Sequence, residues 1–295
     1  MTRGERRTLW LGLAFVSPWI AGFLIFTLYP IAASLYYSFC DYDVLTNPIW
    51  VGTLNYRDMM TDGVFWKSLY NTFYFAAWTL PLGLAIALFI AVLLNQGVKG
   101  RSIFRAIYFL PSLIPIVAAS MAWLWILNGN FGVLNHILQL FRVKGPQWLA
   151  DPQWTKPSII LMALWGCGNT VVIYLAALQD VPRSLYESAE IDGASAWVKF
   201  RHITVPMISP VIYFNLIMGI IGSLQVFAQA FVLFAGGGGP DRSALFYTVY
   251  LYQNAFEYHQ MGYACAMAWV LFIIILCLTL VATRSTRKLI YYAGE

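Results

Sequence analysis

The sequence predicts an all-α membrane protein with six transmembrane helices and both termini on the cytoplasmic side. Three observations carry that prediction. Of the 295 residues, 60 % are hydrophobic and only 11 % are charged, whereas a soluble domain carries about 25 % charged residues. Six apolar stretches have the length of about 20 residues that a bilayer-crossing helix needs. The Lys and Arg residues gather at alternate ends of those stretches, as the bias of basic residues toward cytoplasmic loops requires.

The stretches run roughly over Leu9–Phe39, Ser68–Gln96, Ile103–Leu127, Pro157–Gln179, Pro206–Ala235 and Met261–Thr283. They contain no Asp, Glu or Lys, and their Arg is Arg105, near the start of the third. A charge at the bilayer centre costs about 3 kcal/mol even on the lenient insertion scale, so the spacing of charges follows the membrane. The first stretch is roughly twice the length of a signal-peptide core, about 7–15 residues, and no A-x-A site follows it. It is expected as a retained helix, broken or bent at Pro18 and Pro30. The aromatic content, with 12 Trp and 18 Tyr, suits a chain anchored at lipid–water interfaces.

Orientation follows from the basic residues. The amino terminus (Arg3, Arg6, Arg7), the second-to-third connection (Lys99, Arg101, Arg105), the fourth-to-fifth connection (Arg183, Lys199, Arg201) and the carboxyl tail (Arg284, Arg287, Lys288) hold twelve. The other three connections hold six: Arg57, Lys67, Arg142, Lys144, Lys156 and Arg242. The net charge of +5 is therefore a membrane-topology signal, and no nucleic-acid partner is implied. Among the outer connections, the first carries Asp41, Asp43, Asp58 and Asp62. The second holds Val133, Leu134, Ile137, Leu138 and Phe141 at helical spacing, a short amphipathic helix expected at the interface. The third, Gly236–Gly239 followed by Pro240 and Asp241, is expected as a flexible turn. The chain divides into residues 1–67 (cytoplasmic start, first helix and outer loop), 68–284 (a core of five transmembrane helices) and 285–295 (cytoplasmic tail).

The residues also exclude function classes. Cys40, Cys167, Cys265 and Cys277 form no C-x-x-C pair, so neither a disulfide framework nor a zinc site is expected. His136, His202 and His259 are scattered singly outside the spans, which leaves no candidate catalytic residue and no metal site. An integral-membrane enzyme would need clustered His, Asp or Glu at a membrane face. The spans hold no carboxylate for a coupling ion, as a secondary carrier would. A phosphate-binding loop is absent too. Energy for uphill transport would have to arrive from another protein.

The fourth-to-fifth connection, residues 182–205, is where such a partner could engage. Ser184 followed by Glu187 predicts a capping box. Leu185, Tyr186, Ala189, Ile191, Ala196, Trp197 and Phe200 supply apolar surface at helical spacing. Gly193 falls between two short helical pieces, and Pro206 opens the fifth span where its missing N–H costs nothing. Such a patch packs either on the chain's own spans and the lipid surface or in a groove on a partner.

These residues resemble the cytoplasmic signature of binding-protein-dependent ABC importer permeases: E-A-A, three residues, G, nine residues, I-x-L-P. Glu187, Ala189, Gly193, Ile203 and Pro206 fall at the family positions, while Ser188 replaces Ala and Val205 replaces Leu. Phe104–Pro111, Asn130–Asn135, Trp148–Pro152, Gly237–Pro240 and Met261–Ala264 are similar to the carbohydrate-uptake branch, the maltose and glycerol-3-phosphate system permeases. The resemblance implies the type I ABC importer permease fold in a prokaryotic cytoplasmic (inner) membrane. It implies a second homologous permease subunit, two copies of an ABC ATPase, and an extracytoplasmic solute-binding protein. No cofactor is then bound by this chain, because ATP and Mg belong to the partner ATPase. It also assigns Glu187, Ser188, Ala189, Asp192, Gly193, Ile203 and Pro206 to ATPase coupling. The solute is expected to be a sugar or oligosaccharide, with glycerol-3-phosphate or another small solute as the alternative.

A solute path needs uncharged polar groups on consistent helix faces. Gln225 and Gln229 are four apart on the fifth span with Gly222 on the same face, and Trp165 and Asn169 are four apart on the fourth with Tyr174 further along. Amides offer donors and acceptors to hydroxyl groups, and rings stack on sugar faces. The same residue types also join helices to one another in lipid.

Overall fold

A computed structural model describes residues 3–96 and 100–286. Of the basic residues counted above, Lys99, Arg287 and Lys288 lie outside the described residues, as do residues 287–295 of the expected tail. The described chain is mostly helical. One short antiparallel ladder pairs β1 (Cys40–Asp41) with β2 (Ile49–Trp50). Two compact units divide it, one drawn from Met1–Asp62 and Leu251–Phe272, the other from Gly63–Tyr250 and Ile273–Glu295.

In the first unit, α1 (Arg3–Phe23) passes through Pro18 without the expected break. Proline leaves the carbonyl four residues back without its partner, here that of Ala14, and the Ser17 hydroxyl donates to it at 2.9 Å. The helical register changes further on, in a π-turn at Leu24–Leu28, just ahead of α2 (Tyr29–Tyr37) and its Pro30. After the ladder comes α3 (Leu54–Thr61), fixed by Asn55 Nδ2, which donates to the carbonyls of Ser38 and Cys40, each at 2.9 Å.

The second unit starts with α4 (Gly63–Asn95), unbroken through Pro81. The predicted third span is two pieces, α5 (Arg101–Leu113) and α6 (Ile116–Ile126), bent by 100° at Ile114–Pro115. A residue before proline is pushed out of helical geometry, and Ile114 accordingly has ψ 128°. Outside them, α7 (Val133–Leu140) is the predicted amphipathic helix, with Val133, Ile137 and Leu140 exposed. Its Asn135 is a hub: Nδ2 donates to the carbonyls of Gly129 (2.8 Å) and Pro146 (3.1 Å), and Oδ1 accepts from Trp148 Nε1 at 2.7 Å.

The fourth span also comes in two pieces, α8 (Pro152–Trp165), capped by Asp151, and α9 (Gly168–Gln179), bent by 43°. Gly168 lies so close to the backbone of Tyr108 and Phe109 on α5 that a Cβ there would collide, which is why this position admits only hydrogen. There follow α10 (Arg183–Ile191), α11 (Ala196–Lys199), a π-turn at Phe200–Thr204, α12 (Val205–Met207) and α13 (Ser209–Leu224). The fifth span breaks again before α14 (Ala228–Leu233), with Phe227 at φ −132°. Beyond it come α15 (Tyr247–Tyr252), a π-turn at Gln253–Glu257 and α16 (Met261–Thr286).

The Gly-rich segment, expected as a flexible turn, forms a turn held by local backbone hydrogen bonds, among them Gly236 N–H to the Phe231 carbonyl and Ala244 N–H to the Gly238 carbonyl. Gly236, Gly238 and Gly239 take φ near +75°, and they lead into Ser243–Tyr247, which is buried. Polar groups of α4 bind the backbone just beyond the glycines. Asn71 Nδ2 donates to the carbonyls of Arg242 (2.9 Å) and Leu245 (3.0 Å), and Thr72 Oγ1 accepts from the Tyr247 N–H at 2.9 Å. The core of this unit pairs α4 with α9: Ala87 and Ala91, four residues apart, meet Val171, Tyr174 and Leu175. In lipid, such small residues let helices approach closely, and packing rather than water exclusion holds them together.

Candidate functional site

Two regions of the second unit hold the predicted site residues. The first is the connection from α10 to α12. The helix starts one residue before the predicted capping box: Pro182 occupies the cap position with ψ 127°, its carbonyl accepts from the Leu185 N–H, and no side chain caps the end. Ser184 therefore lies inside the first turn, and Glu187 is exposed with no hydrogen bond among the described residues. The other end closes as a paired-bond glycine motif. Gly193 N–H donates to Glu190 C=O at 3.0 Å and Ala194 N–H to Ala189 C=O at 2.9 Å, with Gly193 at φ +75°. That conformation is natural for glycine and costs other residues about 1 kcal/mol or more.

Past the turn, Ser195 caps α11, and Lys199 Nζ reaches back to Glu190 Oε1 at 2.8 Å. The outer side of this pair of helices is apolar and open. Ile191 is 88 % exposed and Trp197 67 %, and a Cβ at Gly193 would meet nothing within 4 Å. Glu187, Ser188 and Asp192 share the exposed side, while Ala189 is half-buried. Ile203 instead packs against the α4–α9 core, and Pro206 sits within the first turn of α12.

The second region lies where the third, fourth and fifth spans break. A cavity of about 640 Å³ is lined by Gly222, Gln225 and Gln229 together with Thr79, Thr170, Asn215 and Ser223. A smaller one, about 270 Å³, is lined by Trp165, Asn169 and again Gln229, with Ser112 and Ile114. Gln229 thus faces both. Neither lining includes a charged side chain. Breaks at membrane depth are tolerated where the freed backbone groups are buried or line a cavity; at the fifth-span break the Thr248 hydroxyl donates to the Val226 carbonyl.

Gly222 and Gln225 stand at the end of α13 and Gln229 in α14, on either side of an interruption, and all three line the larger cavity. Trp165 and Asn169 are likewise on different helices, α8 and α9. Tyr174 lines neither cavity and is buried in the α4–α9 core. Sequence reasoning missed Thr79, Thr170 and Asn215. Thr79 Oγ1 is buried without a hydrogen-bond partner, and its signal was a hydroxyl in an otherwise apolar run two residues before Pro81.

Residues 79–290 match the family described as binding-protein-dependent transport system inner membrane component. The chain belongs to that family. As an inner membrane component it is a multi-pass membrane protein, with four helices apolar and long enough to cross and up to six when each bent pair counts as one. Both candidate regions fall inside the matched residues, apart from Phe75, which also borders the larger cavity.

The chain is 40 % identical to the probable ABC transporter permease protein YesP of Bacillus subtilis, covering 100 % of this chain and 96 % of that one. It is 34 % identical to the lactose transport system permease protein LacF of Rhizobium radiobacter, covering 94 % of each. A crystal structure of a bacterial alginate ABC transporter contains a chain of the same fold, with a TM-score of 0.85 at 24 % identity over 97 % of this chain and 96 % of that one. The architecture is the importer permease fold that the resemblance implied.

Proposed function

We propose that the chain is the membrane-spanning permease of an ATP-driven, binding-protein-dependent importer that takes up a sugar or oligosaccharide by alternating access. Family membership and the lactose transport named for a 34 % identical relative support this. The observation that carries the solute class is the uncharged lining of the two cavities, where Gln225, Gln229 and Asn169 supply amides and Trp165 a ring face. Amides match hydroxyl groups as both donors and acceptors, and nothing in the lining would neutralise an anion.

In this reading each bent pair is one crossing. That gives six spans, with both termini and residues 182–205 on the cytoplasmic side with most of the Lys and Arg. The exposed Ile191–Gly193–Trp197 surface is the ATPase-docking face, since an apolar patch of this kind on a charged connection marks a partner site. Two copies of the ATPase bind ATP and Mg; this chain binds neither and carries out no covalent chemistry. A second permease completes the pathway, and an extracytoplasmic solute-binding protein delivers the cargo. ATP shifts the population between inward- and outward-open states by binding them unequally.

The test is uptake by vesicles containing both permeases and the ATPase, supplied with the solute-binding protein and a panel of neutral saccharides and glycerol phosphates. ATP-dependent accumulation of a neutral saccharide is the expected result. Accumulation of glycerol-3-phosphate alone would overturn the solute class. Replacing Gln229, which faces both cavities, by Leu is expected to lower uptake at least tenfold while the ATPase still co-purifies.

A further inference from the structure

The connection between α10 and the fifth span has an inner side as well as an exposed one. On the inner side Tyr186 packs against the α4–α9 core beside Ile203 and Met207. Its hydroxyl lies 2.9 Å from Thr204 Oγ1, across 18 residues of sequence. Thr204 is 7 % exposed and ends the π-turn Phe200–Thr204. Thr204 Oγ1 also lies 3.4 Å from the Lys199 carbonyl, to which its hydroxyl can donate. The chain of bonds runs from α10, through Thr204, to the end of α11.

Three routes join α10 to the fifth span. The covalent route passes through the Gly193 turn, where an added Cβ would meet nothing within 4 Å. The Lys199–Glu190 ion pair joins α10 to α11, with the Glu190 side chain 64 % exposed, and exposed pairs contribute little. The Tyr186–Thr204 contact is part-buried, with Thr204 itself buried, and it enters at a π-turn, a helix segment with one extra residue per turn that is frequent at functional sites. A movement of α10 that the glycine turn would absorb is carried past it by this contact.

We infer that Tyr186 is a positioning residue for transport: its hydrogen bond to Thr204 is the joint that passes displacement of α10 into the fifth span. This rests on the reading of residues 182–205 as the ATPase-docking segment. The partner faces the exposed side; Tyr186 acts behind it, without touching the ATPase or the solute.

The experiment compares Tyr186→Phe, Thr204→Val, Thr204→Ser and the Tyr186→Phe/Thr204→Val pair in the assembled transporter. Two quantities are read: ATPase co-purifying with the chain, and solute taken up per ATP hydrolysed. Tyr186→Phe and Thr204→Val are expected to keep the ATPase at the unmodified level and to lower uptake per ATP by about tenfold, the scale of one buried hydrogen bond. Thr204→Ser should restore the ratio, and the pair should be no worse than either single change. An unchanged ratio in Tyr186→Phe would overturn the inference. Loss of bound ATPase would also overturn it, because the residue would then serve the shape of the docking face. Ile191→Asp tests the docking reading separately: an ATPase that stays bound and coupled in that variant refutes the docking face, whatever Tyr186 does.

Discussion

At the residue scale, Gly193 separates backbone cost from partner contact. Its φ of +75° taxes any replacement, yet a side chain there meets nothing within the chain. Gly193→Ala is therefore expected to insert and purify normally, with a loss of stability of about 1 kcal/mol. Gly193→Asp should uncouple transport, with solute no longer stimulating ATP hydrolysis. Survival of both uptake and stimulated hydrolysis in that variant would contradict the coupling role. Tyr174 offers the opposite contrast. Buried against Ala87 and Leu175, it packs rather than lines a cavity, so Tyr174→Phe should leave uptake unchanged. Tyr174→Ala should cost about 3–5 kcal/mol, read as a lowered thermal transition in detergent. Polarity in an apolar run marked Tyr174, Gln225 and Gln229 alike. Burial alone separates them, and burial depends on neighbours that the local sequence does not name.

At the element scale, the spans were legible because membrane depth fixes length and forbids charge. Their interruptions were only partly legible. Pro115 announces the bend it causes, through the extended Ile114 before it. Pro18 causes no break, because Ser17 happens to satisfy the freed carbonyl. The fifth span stops at Gln225–Phe227, with no proline or glycine in those three positions, so its break has no local signal. The capping box failed for a local reason: Pro182 starts the helix earlier than Ser184 could. The buried run after the Gly-rich segment had no local signal, because its partners Asn71 and Thr72 lie more than 160 residues away in sequence. Nearer polar partners build the elbow around α7, where Asn135 joins Gly129, Pro146 and Trp148. Asn135→Ala should remove three hydrogen bonds there and destabilise the elbow by about 1–3 kcal/mol. Faster amide exchange over residues 129–148, with the spans unaffected, would register it. Protection unchanged from the parent would count against the hub.

At the scale of the whole molecule, the two cavities and the connection from α10 to α12 belong to one compact unit. Neither cavity lining has a charged group, and no cluster of metal-ligating residues occurs among the described residues. In the proposed function, energy from the partner ATPase enters at the exposed Ile191, Gly193 and Trp197 and is used at the breaks in the spans. The most direct test is solute uptake by sealed vesicles with and without the partner ATPase. Uptake that requires the ATPase, requires ATP on the side of residues 182–205, and is lost in Ile191→Asp is the predicted result. Concentrative uptake without the ATPase, or driven by an imposed ion gradient alone, would contradict it.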